Sequence, residues 1–426
     1  MKQFIEYLVK SIAVLSISIL AGAILLILVY MLPTHEMKNN VQRSTAIYDY
    51  EDVYPQLMSG YKMSQLDNCT DAYMLLNAIF PGTGNVVKDA MRVNRIEYYD
   101  RNPVGSLTDY ANDVAKENYT DNYQRYWHGY LVILKPLLLL FDVSDIRVIN
   151  MFVFFGLLLY IMWLMMDGGL KQYIVPFAFA MLLMNPLAIP LSFQFSTVSY
   201  IMLISVIVVL TKKEWNNKQQ MLLFMLIGVA TAYFDFLTFP LVGLYFPMIF
   251  MLMKEKSWKS EAGLVVSGSI SWIIGYGGMW AGKWLIGSIL TGSNMFKSAL
   301  SRAGHYTNMV DNGEKVNYLQ VIIKNVQVFI KWPIVIAMAA ILIYMASRFI
   351  KVWKSGKSVI AGNVSYIGIV PFVIIAIAPI CWYIVSGTHS YRHYWFTYRQ
   401  LCVSIFAILS GMVRLYMKNT KIETGF

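Results

Sequence analysis

The sequence predicts an all-α polytopic membrane protein of about ten transmembrane helices, with a large extracytoplasmic first loop and a short re-entrant or interfacial helix. Three observations predict it. Hydrophobic residues make up 57% of the 426 and charged residues only 14%, against roughly 45–50% and about 25% in soluble chains. The apolar residues gather in runs long enough to cross about 30 Å of hydrocarbon. The basic residues alternate between the connections in the way that fixes membrane topology. Together they exclude a water-soluble enzyme, a disordered chain and a collagen-like fibre.

The elements follow in order. Residues 11–32 are apolar and end in Tyr30-Met31-Leu32-Pro33 with no small-residue cleavage site, so residues 1–32 read as a retained first helix rather than a signal peptide. Residues 33–126 form an extracytoplasmic loop domain; from Thr34 it holds 13 Asp/Glu against 9 Lys/Arg, a net of −4. Residues 127–426 form the multi-span domain, with outer loops at 282–326 and 386–397. Tyr130 to Phe141 is too short to span and reads as the re-entrant or interfacial helix. Further spans are expected at about 146–166, 172–190, 195–210, 219–235, 237–253, 262–281, 327–347, 361–385 and 398–416.

With both termini cytoplasmic, the inner connections 167–171, 211–220, 254–261 and 348–357 carry eleven Lys/Arg, and the short outer ones, 190–196 and 234–239, carry none. This also accounts for the net charge of +11. No basic run interleaved with aromatics points to nucleic acid. Of Cys69, Cys381 and Cys402 only the first lies outside an apolar span, so no disulfide framework is expected. No internal repeat is visible.

The conspicuous polar residues fall on the outer side, where ionisable groups at span ends mark function by default. Asp67 and Asp71 are spaced i,i+4, sharing one face if both are helical, although Asp67 also fits a helix N-cap. Arg125 and His128 sit in Arg125-Tyr126-Trp127-His128-Gly129-Tyr130, whose aromatics alone fit an interfacial belt. Asp235 lies among aromatics between two spans and needs a compensating partner. Lys283, in Trp280-Ala281-Gly282-Lys283-Trp284, is placed to snorkel to headgroups or to meet a lipid phosphate. The last outer loop holds His389, Arg392, His393 and Arg399 together. Arg offers a planar fork for phosphate oxygens. His389-x3-His393 lacks the adjacent carboxylate or Cys that would complete a metal site.

The pattern resembles the membrane glycosyltransferases of the C superfamily, and more narrowly a group of bacterial multi-pass envelope proteins. The resemblance rests on Leu66-Asp67-Asn68-Cys69-Thr70-Asp71-Ala72, Arg125-Tyr126-Trp127-His128-Gly129-Tyr130, Phe234-Asp235-Phe236-Leu237-Thr238, Met279-Trp280-Ala281-Gly282-Lys283-Trp284 and His389-Ser390-Tyr391-Arg392-His393-Tyr394-Trp395-Phe396. The Asp67-x3-Asp71 spacing and the earlier Glu51-Asp52 depart from the superfamily's adjacent or alternating acids, which leaves open which acid is the base.

The resemblance implies a multi-pass plasma-membrane enzyme of bacterial origin. It would transfer a monosaccharide from a polyprenyl-phosphate carrier to an envelope glycan or glycoprotein by inverting displacement. The implied base is Asp71, or else Asp67, with Asp235 positioning the base or acceptor. Lys283, Arg392, Arg399, His389 and His393 would bind the donor phosphate, and Arg125, Trp127, His128 and Trp280 the substrate. The cofactor is left unassigned; a divalent cation is compatible with the chemistry but no ligand spacing indicates one. The rival readings are a flippase of lipid-linked sugars, disfavoured by the clean middles of most spans, and a surface-polysaccharide polymerase or ligase with the same Arg and His residues. A non-catalytic scaffold fits the one-sided polar residues less well.

Overall fold

The computed structural model describes residues 2–254, 257–311, 313–354 and 366–421. The start of the span expected at 361–385 and parts of the inner connections 254–261 and 348–357 lie outside the described residues.

Among the described residues the chain is nearly all helix. It opens with α1 (Lys2–Tyr30), whose apolar run meets little that would break it. The segment expected to be the extracytoplasmic domain, called the outer domain below, follows: α2 (His35–Arg43), α3 (Thr45–Glu51), α4 (Asn68–Ala78), α5 (Val86–Arg92), β1 (Asn94–Tyr98), α6 (Pro103–Ala111) and β2 (Asn118–Asn122). Strands β1 and β2 pair antiparallel, with Ile96 opposite Thr120. Local chemistry starts these helices. Asp67, Asn85 and Asn102 each accept a backbone N–H at an N-terminus, and Pro103 pre-sets the first turn of α6.

The remaining elements are α7 (Leu131–Leu140), α8 (Val143–Asp167), α9 (Ile174–Leu183), α10 (Ala188–Leu191), α11 (Phe193–Thr211), α12 (Asn217–Phe234), α13 (Leu241–Lys254) and α14 (Trp258–Thr291). After them come α15 (Met295–Thr307), a short β3–β4 hairpin (Val310–Asp311 with Glu314–Lys315), α16 (Tyr318–Val326), α17 (Trp332–Lys354), α18 (Val370–Val385), α19 (Gly387–Arg392), α20 (Tyr394–Thr397) and α21 (Leu401–Lys421).

Among the described residues five helical segments are long and apolar enough to cross a membrane: Glu6–Tyr30, Val143–Asp167, Phe193–Thr211, Trp258–Thr291 and Tyr394–Leu415. The pair Tyr318–Phe329 and Trp332–Ser347 passes the same test only when taken together and is bent by 88°, the shape of a broken span or a re-entrant loop. Four apolar helices of 10–17 residues, Leu131–Leu140, Lys171–Leu183, Leu241–Lys254 and Val370–Val385, are shorter. The run expected at 172–190 is interrupted where Asn185 takes a positive φ of 58°. The run expected at 237–253 starts late because Asp235 and Thr238 make a turn before α13.

The boundary expected near 282 is corrected. Helix α14 continues to Thr291, because Leu285, Ile286, Ile289 and Leu290 extend its apolar spacing and Gly292, in the left-handed region, ends it. Lys283 is therefore inside a helix, not at a span end.

Helices α12 and α14 form the closest pair. A Cβ on Gly228 would stand 2.3 Å from the Trp272 carbonyl oxygen, and one on Gly275 would stand 2.1 Å from that of Met225. Only glycine permits this backbone approach. One apolar core gathers Phe177, Phe246, Phe250 and Phe406 from α9, α13 and α21. A second joins α1, α7 and the outer domain through Leu26, Leu75, Leu107 and Leu134.

Candidate functional site

The three expected acids are engaged by the fold. Asp67 precedes α4 as its N-cap, accepting from Thr70 N at 3.0 Å and from Thr70 Oγ1 at 3.1 Å. It is not helical, so the shared i,i+4 face with Asp71 does not form. Asp71 lies at the N-terminus of a different helix, α11, where it accepts from Ser192 Oγ (3.2 Å), Phe193 N (3.0 Å) and Gln194 N (3.0 Å). An anion is favoured there by unpaired N–H groups. Complete burial nevertheless prevails and pushes the Asp71 carboxyl up to about 7; burial likewise takes Asp67 to about 6. Asp235 ends α12 and accepts from Thr238 N at 3.0 Å and from Thr238 Oγ1. Its compensation is this turn, not a cation.

Two of the expected phosphate ligands face inward. Lys283 is fully buried, donates to the Met91 carbonyl at 2.9 Å and lies 5.4 Å from the Trp127 ring, pinning α5 of the outer domain to α14. Arg399 is also fully buried; it donates to the Met184 carbonyl at 2.8 Å and the Met63 carbonyl at 3.3 Å, and stacks 4.3 Å from Phe195. Lys283 supplies a donor to the Met91 carbonyl, and Arg399 shares the Met63 carbonyl with Tyr398 Oη, which donates to it at 3.3 Å.

His128 and Trp127 are internal too. Asn77 donates to Tyr130 Oη at 3.0 Å, Tyr130 lies 3.2 Å from His128 Nδ1, and His128 Nε2 donates to the Tyr123 carbonyl at 2.8 Å. Both ring nitrogens are used, and burial holds the imidazole well below its usual range. Trp127 Nε1 donates to the Met279 carbonyl at 2.6 Å. Arg125 and Trp280 differ: Arg125 Nε and Trp280 Nε1 are buried with no partner among the described residues. Arg125 stacks 4.4 Å from Tyr123, and Trp280 meets Tyr126 edge-on at 5.0 Å.

The remaining expected residues converge. His389 and Arg392 from α19 and His393 just after it meet Arg302, His305 and Tyr306 from α15 around a cavity of about 110 Å³. The two imidazoles are 4.8 Å apart, and His389 is also 4.8 Å from Tyr306. Arg302 lies 4.9 Å from the Tyr306 ring. The facing acid is Asp311, which Arg392 grips through Nε (2.9 Å) and Nη2 (2.6 Å). Arg302 Nε, His389 Nδ1 and His393 Nδ1 are buried with no partner among the described residues. Of these only Arg302 Nε is a donor in every protonation state, and beside the Arg392 guanidinium it suits an oxyanion. Burial pushes His389 down to about 4 and holds His393 well below its usual range.

Aromatic rings wall the approach. Tyr126 Oη is 3.1 Å from Tyr306 Oη, Tyr126 meets Phe236 edge-on at 5.6 Å, and Trp395 joins His393 to Tyr54 of the outer domain at 5.1 and 5.3 Å. Sequence reasoning missed Arg302 and Tyr306. Their signal was present: Arg302, His305 and Tyr306 stand at i, i+3 and i+4, one face of a helix.

A second cavity, of about 390 Å³, is apolar and opens between α7, α8 and α11. Ile133, Leu137, Ile149, Val153, Ile204 and Phe234 are among its walls. Phe234 lines this cavity, and three residues on, the Leu237 carbonyl holds His389, which lines the first. Among the described residues no three His, Cys, Asp or Glu side chains gather as a metal site.

No family model, curated protein or solved structure matches the chain.

Proposed function

We propose that the chain is a glycosyltransferase of the multi-pass, C-superfamily type. It takes a monosaccharide from a polyprenyl-phosphate carrier and transfers it, with inversion, to a glycan or glycoprotein acceptor on the outer side of a bacterial plasma membrane. Both termini then face the cytoplasm. The observation that carries the reading is a pocket lined by Arg302 and Arg392, with Arg302 Nε buried and unpaired among the described residues, together with an apolar groove whose Phe234 is three residues from the Leu237 carbonyl that holds His389. A lipid phosphate has this shape: an anionic head on a long apolar tail.

In this reading the isoprenoid lies in the groove, and Arg302 and Arg392 hold the phosphate. Negative charge grows on the phosphate as the glycosidic bond breaks, so fixed cations there bind the transition state better than the ground state. The aromatic wall around Tyr126 and Trp280 excludes water, which would otherwise compete with the acceptor.

The test is a transfer assay. Purified protein is given a panel of polyprenyl-phosphate monosaccharides with envelope glycan, and loss of sugar from the lipid is followed. Donor consumption is expected with at least one sugar, with Arg302→Ala slowing it at least tenfold. No consumption of any donor overturns the reading.

One observation favours a second reading. The oxygens of Asp67, Asp71 and Asp235 are all used by the fold, which leaves Arg and His to do the chemistry, as in a polymerase or ligase of lipid-linked polysaccharide. A donor carrying an oligosaccharide separates the two: preference for it over a monosaccharide selects the ligase.

A further inference from the structure

His389 offers what the three carboxylates do not. Its Nε2 is 2.8 Å from the Leu237 carbonyl oxygen. A carbonyl only accepts, so the proton sits on Nε2 and the lone pair on Nδ1. Nδ1 is buried and has no partner among the described residues, and the ring lines the cationic cavity. The carbonyl that selects this tautomer is itself held in place. Leu237 adopts φ 67°, a left-handed conformation that is costly for a branched side chain. The Asp235–Thr238 turn spans it and fixes it.

We propose that His389 Nδ1 is the general base of the transfer, a role that rests on the glycosyl-transfer reading above. It takes the proton of the acceptor hydroxyl as that oxygen bonds to the anomeric carbon. The bond from that carbon to the phosphate oxygen breaks in the same displacement. Its electron pair leaves with the polyprenyl phosphate, which Arg302 and Arg392 retain. The proton on Nδ1 is returned to solvent after product leaves.

The surroundings support a neutral, competent imidazole. The groups facing it are Arg302, His305 and Tyr306 on α15, Arg392 on α19, His393 just after it, and Asp311, which is already paired to Arg392. Burial and the two guanidinium charges keep His389 unprotonated, against the opposing pull of the Leu237 bond. A donor phosphate would bring negative charge into the same cavity and raise the basicity of the ring. The acid limb of kcat/KM, which reports the free enzyme, is therefore expected near pH 4, and the limb of kcat at higher pH.

The experiment compares wild type with His389→Gln and His389→Ala in the transfer assay. The Gln amide can keep an N–H toward Leu237 but brings no basic nitrogen. Its kcat is expected to fall by about 10²–10⁴, with donor KM within about threefold and the acid limb gone. Added imidazole is expected to restore part of the rate to His389→Ala, a readout that does not depend on how His389→Gln folds. A His389→Gln rate within fivefold of wild type with the limb unchanged overturns the role, as does an absence of imidazole rescue. Those results leave the transfer reading standing. An inactive wild type overturns the transfer reading and the base together.

Discussion

At the scale of single residues, the complete burial of Asp71 decides how the protein responds to substitution and to pH. Asp71 reads as a catalytic acid because it opens an amphipathic helix in an outer loop. Its carboxylate accepts from Ser192, Phe193 and Gln194, more than a hundred residues later, contacts that no local pattern reveals. Asp71→Asn is expected to cost about 1–3 kcal/mol, because donors at the start of α11 lose an acceptor. Its activity per folded molecule should stay within about fivefold of wild type. The pH dependence has a defined sign. A folded carboxyl raised to about 7 binds protons that the unfolded chain releases near pH 4. The stability it contributes is complete below about pH 4 and is lost as pH rises through about 7. Thermal unfolding in detergent should show the deficit of Asp71→Asn shrinking over that window. A deficit that grows with pH would mean that the three donors outweigh burial. Asp235→Asn acts differently. It loosens the turn that presents the Leu237 carbonyl, so kcat should fall about tenfold and the acid limb of kcat/KM should move, while donor KM holds. A loss of stability with an unmoved limb would make Asp235 purely structural.

At the scale of elements, apolar runs placed α1, α8 and α11 closely, because a helix in hydrocarbon needs little beyond length and composition. Ends inside the protein were less legible. Helix α14 overran its expected boundary by ten residues since Lys283 finds the Met91 carbonyl instead of water. A cation in a sequence does not announce whether it will meet lipid, solvent or a carbonyl of another domain. The same holds for Arg399, which the fold consumes. Helix α15 shows the reverse case. Its amphipathic face supplies half the cationic cavity, and its residues were passed over because they sit in a long polar connection. The packing of α12 on α14 gives a separate test. Gly275→Ala puts a methyl 2.1 Å from the Met225 carbonyl oxygen and should destabilise by about 1–3 kcal/mol. Gly277→Ala, two residues along the same helix, meets nothing within 4 Å and should be neutral or better. Equal melting of the two variants would contradict the close approach.

At the scale of the whole molecule, α15 packs on α14 and α19, α19 packs on α18, the outer domain reaches this region through Tyr54–Trp395 and Tyr126–Tyr306, and the apolar groove opens between α7, α8 and α11. This division of labour, tail in the groove and head in the cationic cavity, makes chain length a test. Ile204→Trp, on the groove wall, should raise KM for a long isoprenoid donor several-fold while leaving a short-chain analogue unaffected. An equal effect on both would place the lipid elsewhere.

The central claim is that the sugar leaves its carrier here. The most direct measurement uses proteoliposomes holding the purified chain and a polyprenyl-phosphate monosaccharide labelled in both sugar and lipid, with glycan acceptor outside. Sugar label on the acceptor with the lipid label still in the membrane is the expected result, and this transfer is expected to slow at least tenfold in Arg302→Ala. Both labels crossing the bilayer together, with no sugar released, would contradict it and make the protein a flippase.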